Sequence, residues 1–242
     1  MVNTWLFDVD GTLTPSRSVM SDEFRRWFLN FARHNTVSIV SGSDNPKTLE
    51  QLGAEVVGAL HTRFNCLGNS VWRQDAQVHT SAFELTCEER AFLLKTLDNS
   101  AYPVRTGIHI EQRPGIVNFS IVGRGANLAQ RRDYFEWDNR HREREAIARE
   151  VVQRFARIGC QIAGETGVDI FPAGADKRQV LSQVAGPVYF FGDQTAPGGN
   201  DYPLVEAIAQ RSDGSRAHSV NNWEDTWQQL QAYHRQGLLR LA

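Results

Sequence analysis

The apolar run Trp5-Leu6-Phe7 is three residues long and stops on Asp-Val-Asp-Gly at 8–11. A run this short, closed by acids and a glycine, predicts a buried β-strand that ends at a functional edge. Two further runs have the same form. Residues 37–40 end in Ser41-Gly42-Ser43-Asp44, and residues 188–191 end in Gly192-Asp193. Between the first two runs, Phe24, Phe28 and Phe31 recur at helical spacing behind Ser21, a suitable N-cap. Strands alternating with helices predict an α/β fold, in which ligands gather at the carboxyl ends of the strands.

Those strand ends carry a consistent chemistry. Asp8 and Asp10 are two residues apart, so on an extended backbone both carboxylates point to one side. Two anions held that close call for a cation, and Mg²⁺ prefers oxygen ligands of this kind. An ionised Asp is also a competent nucleophile toward phosphorus. Ser41 and Ser43 offer hydroxyls and amides to a phosphate, Lys177 a fixed ammonium, and Asp193 a third carboxylate for the metal. Singly, each has a dull explanation: a Ser-Gly-Ser turn, or an Asp-Lys pair that suits a helix dipole. Their order along the chain, each after an apolar strand or at a helix start, points to phosphoryl transfer.

Asn45 and Pro46 read as N-cap and first residue of a helix with Leu49 and Leu52 inward and Gly53 as its stop. Residues 56–60 and Val71-Trp72 are strand candidates, with Gly68-Asn69 a turn between them. The texture changes near Ser81. Residues 86–97 form a helical pattern with a near capping box, residues 108–122 are extended, and residues 142–158 are helical with Ile147, Val151, Phe155 and Ile158 on one face. Strand, Gly turn and strand follow over 161–171, so this stretch predicts a small α+β insertion with joints near Ser81 and Gly174. A helix over 177–184 restores the α/β rhythm, and Asn222 caps a last helix with Trp223, Trp227 and Leu230 facing inward.

With 242 residues, 41% of them hydrophobic, the chain can bury a core without crosslinks. A formal net charge of -2 gives no polyelectrolyte signature, so nucleic acid is not indicated as a ligand. Cys66, Cys87 and Cys160 are scattered and fit a reducing compartment. The sequence runs from Met1 into the first strand without a leader pattern, and no apolar run reaches membrane-spanning length. These features predict a cytoplasmic protein with no membrane partner.

Asp-Val-Asp-Gly-Thr-Leu-Thr at 8–14 resembles the first motif of the haloacid dehalogenase superfamily of phosphotransferases. More specifically, Gly-Val-Asp-Ile-Phe-Pro at 167–172, Asp176-Lys177, residues 190–201 and residues 110–124 resemble the eukaryotic-type phosphomannomutase family, over nearly the whole chain. The resemblance implies a Rossmannoid core over 1–81 and 175–242 with an inserted α+β cap over 82–174. It implies Asp8 as a nucleophile that becomes phosphorylated, Asp10 as general acid/base, and Mg²⁺ held by Asp8, the backbone of Asp10, and Asp193. Arg17 beside the core site, and Arg113, Arg124 and Arg131 in the cap, would grip the sugar phosphates, with Asp169 on a sugar hydroxyl. The implied reaction interconverts mannose 6-phosphate and mannose 1-phosphate, primed by a hexose 1,6-bisphosphate, in a homodimer formed through the cap. A sugar-phosphate phosphatase using the same groups is the alternative. Arg140, Arg142, Arg144 and Arg149 read as surface charge. Three residue patterns depart from the family: Gly167 replaces a substrate-contacting serine, Phe119-Ser120-Ile121 replaces Val-Ser-Pro, and the segment after Asp201 lacks the acid of a second cation loop.

Overall fold

A computed structural model describes residues 3–241, which divide into two compact units: residues up to Thr80 together with those from Asp176 onward, and Ser81–Ala175. The first unit holds β1 (Thr4–Phe7), α1 (Asp22–His34), β2 (Thr36–Val40), α2 (Asn45–Leu52), α3 (Ala54–Ala59), β3 (Thr62–Asn65), β4 (Ser70–Arg73) and β5 (Ala76–Thr80). The inserted unit holds α4 (Cys87–Asn99), β6 (Ile110–Arg113), β7 (Ile116–Phe119), α5 (Leu128–His141), α6 (Glu143–Arg154), β8 (Ile158–Ala163) and β9 (Gly167–Pro172). The first unit resumes with a 3₁₀ segment at Lys177–Gln183, β10 (Val188–Gly192), α7 (Tyr202–Ala209), β11 (Arg216–Ser219) and α8 (Trp223–Arg235).

The seven strands of the first unit are ordered β11-β10-β1-β2-β3-β4-β5, parallel from β11 to β3 and antiparallel beyond. Alternation along the strands serves both faces. Trp5 and Phe7 pack with Phe24, Phe28 and Phe31 of α1 and Leu230 of α8, whereas Leu6 joins Phe190, Val180 and Leu204 on the other side. The chain leaves β1 toward β2 and later returns on the opposite side as β10. The carboxyl end of β1 is therefore the switch point of the sheet, where a crevice for ligands opens. Helix starts follow local capping rules: Ser21 accepts from the Phe24 amide and Asn222 from the Asp225 amide.

In the inserted unit the strand order is β6-β7-β9-β8, antiparallel throughout. Val117, Phe119, Val168 and Ile170 face Leu93, Tyr134, Ile147 and Val151 of the helices. The alternate positions form a polar row, since Glu111 pairs with Asn118, Asn118 with Asp169, and Asp169 with Gln161 across the four strands.

Several expectations need correction. Residues 56–60 are not a strand: Val56 and Val57 are buried from α3, and the strand is β3, whose inward Arg63 is satisfied by Asn45 Oδ1 at 3.1 Å and Val57 O at 3.2 Å. A strand with a buried arginine carries no apolar signature. Asp44, not Asn45, caps α2 by accepting from the Lys47 amide, and Leu49 is 43% exposed. The helix predicted over 142–158 stops at Arg154, and Ile158 begins β8. Gly159 belongs to that strand because a Cβ there would lie 2.5 Å from the ring of Phe171, its cross-strand partner. Arg144 is buried, with Nε on Asp138 Oδ2 and Nη1 on Gly164 O, each at 2.7 Å, whereas Arg140, Arg142 and Arg149 are exposed. Among the described residues no helix is long and apolar enough to cross a membrane.

Candidate active site

β1 ends at Phe7 and delivers Asp8 to the switch point, buried to 4% exposure. Lys177, wholly buried, donates to Asp8 Oδ1 at 2.5 Å and to Asp201 Oδ1 at 2.6 Å. Phe7 pairs with Phe191 in register, so Asp193 follows β10 close to where Asp8 follows β1. Carboxylate oxygens of Asp8, Asp193 and Asp201 lie within 4.8 Å of one another. Gly11, at φ +80°, makes the approach possible, because a Cβ there would stand 2.5 Å from Asp193 Oδ2.

Charge in this cluster is not balanced by the protein. Three carboxylates share one ammonium, an excess of negative charge whenever all three are ionised. Burial, with Asp201 and Asp193 alongside, pushes the Asp8 carboxyl well up against the pull of Lys177. Burial likewise raises Asp193, and Asp201 adds to it. Burial works against the Lys177 charge, but Asp201 and Asp8 outweigh it and hold the ammonium above its ordinary range. Asp193 Oδ1 is buried with no hydrogen-bond donor. A hard dication answers both the excess charge and the orphaned oxygen, so the donor set fits a divalent metal.

Asp10 stands apart from the cluster. The strand has ended before it, and its carboxylate accepts the Arg17 amide at 2.6 Å and Gln51 Nε2 at 2.9 Å. The two-residue alternation that would align it with Asp8 therefore does not apply. The Arg17 main chain takes a left-handed conformation (φ 57°), and its side chain is exposed. Ser41 and Ser43 follow β2. Ser41 Oγ accepts the Ser43 amide at 3.0 Å, and Ser43 O accepts the Cys66 amide at 3.0 Å, which ties this turn to the one after β3.

Asp201 is the member that sequence reasoning missed. An Asp just before α7 looks like an N-cap, yet its side chain caps nothing there and turns to Lys177 and to the Gln194 amide at 3.0 Å.

In the inserted unit, Arg113 donates through Nε and Nη2 to Glu111 Oε2 at 2.8 and 2.5 Å, and Arg124 Nε lies 3.2 Å from the same oxygen. Arg113 Nη1 is 3.9 Å from Asp169 Oδ1, which also accepts Asn118 Nδ2 at 2.7 Å. Burial raises the Asp169 carboxyl against Arg113 and Asn118. Arg131 pairs with Glu165 at 3.5 Å; burial, and then Arg124, hold its guanidinium below the usual range. Asn118 Oδ1 and Gln161 Nε2, in the same polar row, are buried without partners. The cluster is suited to a polar, anionic ligand. Glu111 and Asn118 do not stand out in the sequence, although Glu111 is two residues before Arg113 and Asn118 lies between Arg113 and Arg124.

Comparison with known proteins identifies the family and the fold. A family model described as eukaryotic phosphomannomutase matches residues 24–236, starting beyond Asp8 and Asp10. The phosphomannomutase of Saccharomyces cerevisiae is 34% identical over 233 residues, 91% of this chain and 90% of that protein. The Drosophila melanogaster phosphomannomutase is 35% identical over 215 residues, 82% of this chain and 84% of its own length. Among solved structures, an IMP-nucleotidase from Plasmodium falciparum aligns with a TM-score of 0.64 at 14% identity, covering 97% of this chain and 68% of that one. A haloacid dehalogenase-like hydrolase from Bacteroides thetaiotaomicron aligns at 0.55 and 11% identity, covering 86% of each chain. At these identities the solved structures speak for the fold alone, a haloacid dehalogenase-like α/β core.

Proposed function

The chain belongs to the eukaryotic phosphomannomutase family and is an enzyme of the phosphomannomutase type, and from that premise we propose that it interconverts mannose 6-phosphate and mannose 1-phosphate through Asp8. The observation that carries the assignment is the Asp8–Lys177 pair inside the carboxylate cluster at the switch point. Asp8 Oδ attacks phosphorus of a hexose 1,6-bisphosphate, the P–O bond to the sugar breaks, and Asp10 protonates the leaving oxygen. Asp10 then takes the proton from a hydroxyl of the hexose monophosphate, which attacks phospho-Asp8 and regenerates the carboxylate. Lys177 holds Asp8 in place and supplies fixed positive charge beside the transferring group.

Asp8, Asp193 and Asp201, with the backbone of Asp10, would hold Mg²⁺, whose chemistry when bound is to neutralise charge on the phosphoryl oxygens. Ser41 and Ser43 would bond the reacting phosphate, with Arg17 beside it. Arg113, Arg124 and Arg131 would take the substrate's other phosphate and Asp169 a sugar hydroxyl, since planar guanidinium forks suit bidentate capture. A hexose 1,6-bisphosphate activator, a homodimer through the inserted unit and a cytoplasmic location complete the proposal.

Incubation with mannose 1-phosphate and Mg²⁺, with and without glucose 1,6-bisphosphate, tests it. Isomer formed only with the activator is the expected result. Inorganic phosphate as the main product would make the protein a phosphatase that lets water attack phospho-Asp8.

A further inference from the structure

Each of the three cap arginines already faces a carboxylate. Arg113 and Arg124 both face Glu111, Arg113 also lies 3.9 Å from Asp169, and Arg131 lies 3.5 Å from the half-exposed Glu165 with its buried Nη2 otherwise unpartnered. Glu111 takes the largest share, because one oxygen, Oε2, receives both nitrogens of Arg113 and faces Arg124. The burial is unequal: the Glu111 side chain is 32% exposed against 14% for Arg113. Glu111 is two residues before Arg113 on β6, on the same face, so its carboxylate can swing to water while the guanidinium stays in place.

From these contacts we infer that Glu111 is a positioning residue that occupies the arginines' anion site when no phosphate is there, and so makes a bound phosphate easy to release. The inference rests on the mutase reading. A mutase must let the bisphosphate release its non-reacting phosphate before that group can become the reacting one. A phosphate held by largely buried arginines leaves slowly if its departure strands uncompensated cations. Glu111 takes over Arg113 and Arg124 as the phosphate goes, so neither of those two cations is left unpaired. The same carboxylate sets a threshold on entry. A dianionic phosphate displaces it, whereas a singly charged or neutral group gains too little to do so.

The test is the affinity of the full-length protein for mannose 1-phosphate by calorimetry, without activator so that nothing turns over. In Glu111→Gln the competing charge is gone at equal size. Binding should tighten by about tenfold, the worth of one charge-assisted hydrogen bond. With activator, kcat and KM should both fall, because release slows. Glu111→Ala carries the same expectation should the glutamine variant prove unstable, and adding Arg124→Ala to either should abolish the tightening. A residue that merely props up the arginines would give the reverse: weaker binding and a higher KM with kcat unchanged. Unchanged or weaker binding in folded Glu111 variants overturns the inference. The binding readout needs no isomer, so absence of isomerisation by the unsubstituted protein would count against the mutase reading instead.

Discussion

Lys177 Nζ lies 2.5 Å from Asp8 Oδ1 with the ammonium wholly buried, so the candidate nucleophile is fixed by a cation that has no access to water. Such a pair is weak as a source of stability but costly to break, since the surviving charge stays buried. Lys177→Met would leave Asp8, Asp193 and Asp201 as three clustered carboxylates. The metal-free protein should lose roughly 3–5 kcal/mol in denaturant unfolding. Turnover should fall about 10²-fold or more through loss of a fixed charge at the reacting centre. Near-normal kcat in that variant would remove Lys177 from the mechanism.

Asp8 and Asp10 should separate by leaving group. Asp8→Asn should give no acid-stable label from any phosphoryl donor, because the amide lacks the attacking charge. Asp10→Asn should still be labelled by acetyl phosphate, whose leaving group needs no proton, while transfer to or from a hexose drops about 10²–10⁴-fold. Equal loss of both reactions would mean that Asp10, bonded to the Arg17 amide and to Gln51, mainly holds its loop.

Divalent metal should stabilise the protein through the carboxylate cluster. Mg²⁺ at a hundred times its dissociation constant adds about 2.7 kcal/mol by mass action. Asp193→Asn and Asp201→Asn should each remove most of that gain, with little change in the metal-free melting temperature for Asp193, whose Oδ1 has no protein partner to lose. An undiminished Mg²⁺ shift in both variants would place the metal elsewhere.

Much of this site is legible in the sequence because it depends on strand ends. Asp8, Ser41 and Asp193 each follow a short apolar run, and burial on both faces of a parallel sheet requires such runs. Asp201 is hidden because its local context, an Asp ahead of a helix, has a sufficient local explanation that the fold does not use. Asp10 misleads for a related reason: alternation holds only while the strand lasts, and β1 is finished at Phe7. β3 and β11 escape notice because Arg63 and His218 are accommodated by polar or ring partners rather than by an apolar pattern. Glu111 is a question of pairing across space, and no spacing rule contains it.

Acid should weaken the inserted unit through Glu89. Although burial raises this carboxyl, hydrogen bonds from Arg157 and from Thr86 in the capping box bring it below its ordinary value of 4.5. A depressed folded pKa means that the unfolded chain binds the proton first, so the contribution is complete above about pH 4.5 and fades as pH falls through the folded value. Glu89→Gln should cost about 1–2 kcal/mol near neutrality and converge with the unsubstituted protein in strong acid. Parallel stability curves across that range would show that the charge is irrelevant there.

Gly167 is where family resemblance and local packing disagree most usefully. The resemblance suggests that a serine here would add a substrate contact. The backbone does not resist it, because Gly167 does not occupy the left-handed region that only glycine favours. Space does: a Cβ would stand 2.9 Å from Asn118 Nδ2 and 3.1 Å from the Phe119 carbonyl, and the carbonyl cannot rotate away. Gly167→Ser should therefore displace Asn118, lengthen its 2.7 Å bond to Asp169, and destabilise the unit by roughly 1–3 kcal/mol as overpacking does. KM for the hexose phosphate should rise and not fall. Asn118→Ala combined with Gly167→Ser should recover most of the stability, since the side chain in the way is gone, but not the KM, since Asp169 has lost its donor. Recovery of neither would mean that the Phe119 carbonyl sets the limit. A lower KM in the single variant, at unchanged stability, would show that Asn118 yields freely and that the serine contact can be restored in this chain.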